Sequence, residues 1–268
     1  YISKMIKKIL LMQFDFIYTI NTSQKKILCN MFHISKVSCL VSGDTKYARA
    51  YERKKESECF INKLQHDIFP YYKKHYTLVV GSAWAKDTEL ITLAIKELKP
   101  NLKIKTLIIP HKLSQIHIDS IATHCKNNSL SYEIVDKKLT TYKNKNLFIN
   151  NDVIIFKQMG LLFELYSLAD IAFVGGAVHH KVHNVLEPFV YSLPIAFGEK
   201  YKSSPEAIEL INHNMARVIK DPSDLISWCK LHYKKTKLRT KEKAHKDELL
   251  QRHRSQTQNI TAHIAKYI

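Results

Sequence analysis

Short turns that contain glycine or proline follow several stretches whose pattern predicts strands. They are Gly81-Ser82, Pro110-His111, Met159-Gly160 and Gly175-Gly176. Glycine lets a backbone approach a phosphate or a sugar because no Cβ stands in the way, and a helix that follows such a turn presents free N–H groups to an anion. The series predicts a nucleotide-binding cleft at one edge of a sheet. The alternative stays open, because any strand-to-helix turn also favours small residues.

Other chemistries find less support in the residue types. The sequence contains neither G-x-G-x-x-G nor G-x-x-x-x-G-K-[ST], so a dinucleotide fingerprint and a Walker loop are not supported. His179, His180 and His183 form an HHxxH pattern, but no cysteine or carboxylate pattern accompanies them as zinc coordination requires. We therefore expect neither a bound metal nor a cofactor.

Two polar residues stand out after the Gly-Gly pair. Asn184 and Glu187 lie three residues apart in a segment, 184–192, that predicts a helix, so they would share one face of it. Glu187 would accept hydrogen bonds from the vicinal hydroxyls of a ribose while Asn184 donates beside it. In the alternative interpretation Asn184 caps the helix and Glu187 completes a capping box. The spacing alone leaves both open.

The elements that must position these residues alternate between short apolar runs and longer amphipathic stretches. The predicted strands are 14–20, 37–41, 77–80, 105–109, 132–135, 152–156, 171–174 and 194–197. The predicted helices are 23–32 with Ser23 as its cap, 45–58, 87–99, 116–127, 161–167, 184–192 and 204–212, with one or two more in 225–268. This alternation predicts an α/β fold with a parallel sheet covered on both faces.

Composition limits the class of protein. The 268 residues are 45% hydrophobic and 25% charged, which is typical of a globular chain and excludes a disordered or collagenous one. The five cysteines form no C-x-x-C pair, which excludes a disulfide framework and a zinc ribbon and favours a reducing compartment. No apolar run reaches the ~18 residues of a membrane span.

The formal net charge of +18 favours an anionic partner. Nucleic acid, an anionic membrane surface and a phosphorylated substrate all fit the charge alone. Only six of the 42 basic residues are arginine, and the lysines are spread along the chain. Such a distribution argues less for nucleic-acid recognition than clustered arginines would.

Several segments together resemble one family of enzymes. The chain reads ADIAFVGGAVHHKVHNVLEPFVYSLPIAFGEKY over 169–201, preceded by KQMGLLFELYSL. Upstream it carries, in order along the chain, VSGDTKYARAYE, VVGSAWAKDTELI and LIIPHK. These segments resemble motifs of the Kdo transferases of lipopolysaccharide biosynthesis, which move 3-deoxy-D-manno-oct-2-ulosonic acid (Kdo) from CMP-Kdo to a lipid A precursor. Ser192 stands where the family usually has glycine. Lys46, Ala48 and His111 replace the arginine, aspartate and arginine of the family pattern.

The resemblance implies a GT-B architecture of two Rossmann-like halves and a set of site residues. Gly81, Ser82 and His111 would lie near the phosphate, and the backbone around Met159 and Gly160 would contact the cytosine. The phosphate and the ribose would be held by the residues Gly175, Gly176, Asn184 and Glu187.

The resemblance also implies a domain organisation. Residues 1–44 would be the remnant of an N-terminal acceptor domain, 45–60 a connecting segment, 61–235 the nucleotide-sugar-binding domain and 236–268 a C-terminal helix. The catalytic carboxylate of the family would lie upstream of this sequence, so we expect no catalytic residue within it.

The partners expected from the resemblance are CMP-Kdo, the lipid A precursor lipid IVA and the anionic cytoplasmic face of a bacterial inner membrane, without nucleic acid. The protein would be peripheral to that membrane. Two alternatives remain: a degenerate, non-catalytic basic fragment that binds anionic membrane or polymer, and another GT-B enzyme with a different nucleotide sugar.

Overall fold

The fold was analysed in a computed structural model that describes residues 2–35, 38–72, 75–136, 150–234 and 236–267. The chain divides into two compact units. The larger unit comprises Lys54–Lys246, and the smaller one combines Tyr1–Arg53 with Asp247–Ile268. The smaller unit is therefore discontinuous in sequence.

A parallel sheet forms the centre of the larger unit. Its strands within the described residues are β3 (Tyr76–Ala83), β4 (Ile104–Pro110), β5 (Tyr132–Val135), β6 (Val153–Phe156), β7 (Ile171–Val174), β8 (Ile195–Phe197) and β9 (Ala216–Val218). They lie in the order β5-β6-β4-β3-β7-β8-β9, and every pair is parallel. The prediction of a parallel α/β fold is confirmed.

Helices cover both faces of this sheet. They are α4 (Glu58–Tyr72), α5 (Ala85–Leu98), α6 (Gln115–Asn127), α7 (Leu162–Leu165) with the 3-10 turn Tyr166–Leu168, α8 (Leu186–Phe189), α9 (Pro205–Asn212) and α10 (Pro222–Lys234). Alternate residues of a strand point to opposite faces, and Leu78 and Val80 pack with α5, α6 and α10. Val79 packs on the other face with α4 and α7. The continuous apolar runs in the sequence are thus strands buried on both sides.

The order of the strands creates a switch point between β3 and β7. The chain leaves β3 towards β4 on one side of the sheet, and it leaves β7 towards β8 on the other. Because the two connections diverge, a crevice opens beyond the carboxyl ends of these two strands, which is where open α/β sheets bind ligands. The pairs Gly81-Ser82 and Gly175-Gly176 both lie at this end of the sheet.

The smaller unit contains α1 (Ile2–Leu11), β1 (Ile17–Thr19), α2 (Thr22–Phe32), β2 (Cys39–Val41), most of α3 (Thr45–Glu56) and the end of α11 (Thr236–Ile264). β1 and β2 are parallel, as the β-α-β order predicts. Contacts inside the unit join its two sequence segments: the rings of Tyr47 and His253 stack with centroids 4.1 Å apart, and the amide of Asp44 donates to Nδ1 of His253 at 3.0 Å.

Cysteine burial varies along the chain. Cys39, Cys125 and Cys229 are buried, while Cys59 is exposed, and the described cysteines are free thiols. Burial raises the pKa of Cys125 and of Cys229 to about 12.

None of the helices among the described residues combines the length and the apolar character that crossing a membrane requires.

Most predicted elements are confirmed within a few residues, and four details were wrong. The cap of α2 is Asn21, whose Oδ1 accepts from the amide of Gln24 at 2.9 Å, and not Ser23. The sequence pattern did not indicate α1, α4 or β9. Gly81-Ser82 is the end of strand β3 and not a turn after it. The helix predicted over 184–192 is the single turn α8.

Candidate functional site

Gly81 and Gly175 lie side by side at the switch point, where the amide of Gly175 donates to the carbonyl of Gly81 at 2.8 Å. A Cβ on Gly81 would stand 2.1 Å from Oη of Tyr166, and one on Gly175 would stand 2.5 Å from the carbonyl oxygen of Ser82. Both distances are too short for packed atoms. The packing of the protein itself therefore requires these two glycines, so their presence alone does not indicate a ligand.

Ser82 and Gly176 have the left-handed backbone that shapes the crevice. The φ angle of Ser82 is 52°, and the register between β3 and β4 shifts between Val80 and Ala83, as in a β-bulge. Gly176 has φ 95°. Bulges redirect side chains and are frequent beside functional sites. Here the bulge ends at Ala83, and the next residue, Trp84, stands at the centre of the site.

Asp87 links the start of α5 to the turn after β7. Its carboxylate is 1% exposed, and Oδ2 accepts from the amide of Trp84 at 2.9 Å and from that of Gly176 at 2.7 Å. Burial raises the pKa of Asp87 despite hydrogen bonds from the amides of Gly176, Trp84 and Val178, which favour the ionised form. This carboxylate fixes the position of the Gly-Gly turn relative to the helix.

Aromatic rings surround Trp84. The ring of His111 stacks on Trp84 at 4.6 Å between centroids and on His183 at 4.3 Å. Nε1 of Trp84 donates to Nε2 of His183 at 3.0 Å. The imidazole of His180 lies 4.5 Å from Trp84, and Nε2 of His117 bonds to the carbonyl of Ala83 at 2.9 Å. We call Trp84, His111, His117, His180 and His183 the Trp84 cluster.

The surroundings of His111 and His183 favour the neutral form of these two imidazoles. Burial lowers the pKa of His111, and the positive charge of Lys112 lowers it further. Burial also lowers the pKa of His183, with His111 and Lys181 adding to the effect. His111, which stands where the family pattern has arginine, therefore offers a hydrogen-bond donor or acceptor at neutral pH and not a permanent cation.

Asn184 and Glu187 lie beside each other, although not as two residues of one helix face. Oδ1 of Asn184 accepts from the amide of Leu186 at 3.1 Å, and its Nδ2 donates to Oε1 of Glu187 at 3.3 Å. Asn184 precedes α8 and is exposed, while Glu187 is half-buried. Burial, together with the negative charge of Glu187, raises the pKa of Tyr166 well above its ordinary value. Asn184 thus holds Glu187 at the rim of the crevice, beside Tyr166.

Met159 and Gly160 follow β6, which lies two strands from β3 in the sheet. The side chain of Met159 is 78% exposed, and Gly160 has φ 78° with open space where a Cβ would stand. The described contacts do not join this turn to the Trp84 cluster. It is free to approach a ligand that extends along the carboxyl edge of the sheet.

The described residues contain no group of three or more histidine, cysteine, aspartate or glutamate side chains able to hold a metal ion. His179, His180 and His183 thus do not form such a group, and two of them, His180 and His183, belong to the Trp84 cluster. The sequence pattern predicts no functional role for Trp84, Asp87, His117 or Tyr166. Only Asp87 carried a local signal, because an acidic residue in the first turn of a helix is a common capping position.

Comparison with known sequences finds several relatives that share one name, although no family model matches the chain. The chain is 33% identical to the 3-deoxy-D-manno-octulosonic acid transferase of Chlamydophila psittaci over 134 residues, which are 49% of this chain and 28% of that protein. It is 32% identical to the Aquifex aeolicus transferase of the same name over 45% of this chain and 31% of that protein. The match thus spans less than a third of each of these relatives.

Solved structures share the fold. The C-terminal CMP-Kdo binding domain of WaaA from Acinetobacter baumannii superposes with a TM-score of 0.61 at 18% identity, covering 76% of this chain and 99% of that domain. A glycosyltransferase from Rickettsia africae gives a TM-score of 0.60 at 12% identity, covering 98% of this chain and 66% of that one. The expected GT-B type of α/β fold is confirmed. The chain is therefore similar in sequence to 3-deoxy-D-manno-octulosonic acid transferases over about half of its own length.

Proposed function

We propose that the chain supplies the nucleotide-sugar-binding part of a glycosyltransferase that moves Kdo from CMP-Kdo to a lipid A precursor, with residues 61–235 as the donor-binding domain. The observation that supports this most is the position of the candidate residues. Gly81, Ser82, Gly175 and Gly176 come from distant parts of the sequence and meet at the switch point of a parallel sheet, where such folds bind nucleotides.

In this proposal the ribose and the phosphate contact different groups. Glu187, held by Asn184 at 3.3 Å, accepts hydrogen bonds from the ribose hydroxyls. The phosphate lies against Ser82 and the first turn of α5, a helix of 14 residues whose N-terminal amides favour an anion. His111 adds a neutral hydrogen bond there, and the backbone at Met159 and Gly160 contacts the cytosine. Helix α8 is too short to serve as the anion site that its predicted length suggested.

The transfer itself needs a general base and a stabilised leaving group. An acceptor hydroxyl attacks the anomeric carbon as the bond to the CMP phosphate breaks, and the hydroxyl proton passes to a carboxylate. We place that carboxylate in the part of the relatives that this chain does not match. The chain would stabilise the departing phosphate through positioned N–H groups, and no metal or cofactor takes part in this scheme.

The acceptor and the place of action extend the proposal. The net charge of +18 suits an anionic lipid A precursor such as lipid IVA and the anionic cytoplasmic face of a bacterial inner membrane, to which the protein would bind peripherally. Nucleic acid is not a partner in this proposal.

Calorimetry of nucleotide binding tests the donor site. We expect the purified chain at physiological salt to bind CMP more tightly than UMP, and Glu187→Ala to weaken CMP binding about tenfold or more, because a hydrogen bond to a charged group contributes about 1.5–3 kcal/mol. Glu97→Ala is the matched control, since Glu97 is exposed on α5 and far along the helix from its first turn. Equal binding of CMP and UMP, or an unaffected Glu187→Ala variant, would contradict the proposal.

The rival function, nonspecific binding of an anionic polymer or membrane, follows from the charge alone. Such binding falls steeply as salt rises, because it releases condensed counterions. A CMP site should instead keep its preference for cytosine at every salt concentration. Titrations of CMP, UMP and heparin at two salt concentrations separate the two functions.

A further inference from the structure

The hydrogen bond between Trp84 and His183 determines where the imidazole can carry its proton. The indole nitrogen is a donor only, and it lies 3.0 Å from Nε2 of His183. Nε2 must therefore act as the acceptor and keep its lone pair. A neutral His183 then has its proton on Nδ1. A protonated His183 would direct a second N–H at the indole N–H and could not form this bond.

The surroundings hold both rings in place. The planes of Trp84 and His183 differ by only 8°, and the ring of His111 stacks over both of them. A Cβ on Gly176 would stand 2.8 Å from Cδ2 of His183, so this edge of the imidazole packs directly against the turn after β7. Rotation of the ring away from Trp84 would break several contacts at once.

The charged and titratable groups around His183 oppose its protonation. His111, His180 and Lys181 lower the pKa of His183, in addition to burial. Lys112 and His117 approach the indole of Trp84, with Nζ of Lys112 at 5.0 Å from the ring. The carboxylate of Asp87 accepts hydrogen bonds from the amides of Trp84 and Gly176. Nδ1 of His183 forms no hydrogen bond with any of the described residues.

We propose that Trp84 is a positioning residue that holds His183 in the neutral tautomer with its proton on Nδ1, so that this N–H remains available to an anionic group of the ligand. The last clause rests on the proposed function, whereas the tautomer does not. His183 then contributes a directed hydrogen bond whose strength does not change with pH near neutrality. The binding energy of the phosphate comes from oriented donors and not from a titrating cation.

Nuclear magnetic resonance on the full chain with labelled histidine reads the tautomer directly. Long-range nitrogen–proton spectra near pH 7.5 should show His183 with a protonated Nδ1 and an unprotonated Nε2, with His183→Asn assigning the signals. In Trp84→Phe, which keeps an aromatic ring but removes the donor, we expect this preference to be lost. Trp228→Phe is the control, since Trp228 is the other tryptophan of the chain and lies in α10.

Two further measurements, the indole proton signal of Trp84 and the pH dependence of CMP binding, test the same inference. On acidification, the Nε1 proton signal of Trp84 in the wild-type chain should shift with the protonation of His183. We compare the CMP affinity of Trp84→Phe with that of the wild type as a ratio, variant over wild type. This ratio should rise several-fold as the pH falls from about 8 to about 6, because an unrestrained His183 protonates more readily and its positive charge attracts the phosphate. The ratio cancels the ionisation of the nucleotide itself.

The outcomes separate this inference from the proposed function. A proton on Nε2 in the wild-type chain, or an indole signal that does not follow His183, would overturn the inference even if Trp84→Phe failed to fold. A protonated Nδ1 without any binding of CMP would confirm the tautomer and overturn the donor site. An unchanged tautomer in a folded Trp84→Phe variant would show that Trp84 does not position His183.

Discussion

Gly81 shows how a single residue can be required by its neighbours. The absent Cβ makes room for Oη of Tyr166, which is fully buried beside Leu162. The negative charge of Glu187, in addition to burial, raises the pKa of Tyr166. A change at Gly81 therefore reaches the rim of the candidate site through one aromatic side chain.

We expect Gly81→Ala to lower the free energy of unfolding by about 1–3 kcal/mol, because the new methyl group overpacks a well-filled core. Urea denaturation followed by circular dichroism measures this. If Tyr166 is the cause, the same substitution in a Tyr166→Phe background should cost less, since the hydroxyl is gone. Equal costs in the two backgrounds would assign the effect to Leu162 or to the backbone.

Ser192 has φ 57°, in the left-handed region that favours glycine. Non-glycine residues lose about 1–2 kcal/mol there, whereas glycine also loses more entropy on folding. We expect Ser192→Gly to raise the free energy of unfolding by about 0.5–1 kcal/mol, measured by urea denaturation. Ser203→Gly is the control, because Ser203 is exposed and has no positive φ; it should be neutral or destabilising. A destabilised Ser192→Gly variant would contradict this account.

The glycines of the site were visible in the sequence, but the reasons for them were not. The sequence pattern predicts that Gly81 and Gly175 contact a ligand, whereas the atoms nearest to a Cβ built on them belong to Tyr166 and Ser82. Trp84 was missed because nothing local marks a tryptophan as the centre of a histidine cluster. Its partners His111 and His183 are 27 and 99 residues away in the sequence, and only the fold brings them together.

At the scale of elements, Asp87 joins α5 to the turn after β7. Its amide partners belong to Trp84 and Gly176, so the carboxylate serves as a shared acceptor between a helix start and a neighbouring strand end. Removal of the acceptor would leave the buried N–H of Gly176 without this partner, which costs about 1–3 kcal/mol, and would also free the amide of Trp84.

The pH dependence of stability tests this link. Because burial raises the pKa of Asp87 in the folded chain, the folded state binds more protons than the unfolded state between the ordinary pKa of about 3.9 and the raised value. The contribution of Asp87 to stability therefore falls as pH rises through that window. In Asp87→Asn this component is absent, so the difference in unfolding free energy, wild type minus variant, should decrease with pH and then level off. A flat difference would contradict the raised pKa.

The segment 184–192 explains why helix length was misjudged. Val185, Leu186, Phe189 and Val190 recur at helical spacing and are buried, which satisfies the amphipathic pattern. However, Pro188 lacks an N–H and is tolerated only near a helix start, and the left-handed Ser192 ends the turn. Helical spacing reports which residues face the core, and it does not report how many turns are completed.

At the scale of the whole molecule, the alternation of strands and helices predicted the parallel sheet well because its central strands are buried on both faces. These strands are β3, β4, β6, β7 and β8. The sequence pattern does not predict β9 because Ala216–Val218 form a short, partly exposed strand. Its central residue is the exposed Arg217, so no apolar run marks it. The strand order and the discontinuous smaller unit depend on contacts between distant residues. The residue pattern of a single sequence does not reveal such contacts.

We expect the two units to differ in hydrogen exchange. The strands of the smaller unit have three residues each and are only partly buried, and a two-stranded sheet is marginally stable in water. β3, β4 and β7 are almost fully buried at the centre of seven strands in the described chain. Amides in 17–19 and 39–41 should therefore exchange faster than those in 78–80, measured by mass spectrometry with peptide resolution. Equal protection would show that the chain opens as one cooperative unit.

The discontinuity of the smaller unit has a consequence for the order of events during translation. Its contacts pair Tyr18 with His263 and Tyr47 with His253, so they need residues that the ribosome adds after residue 246. All of Lys54–Lys246 is synthesised before those residues, and domains generally fold as units as they emerge. The seven-stranded sheet can therefore form while the first fifty residues still await their partner helix, and a nascent chain stalled before residue 247 would expose them to chaperones.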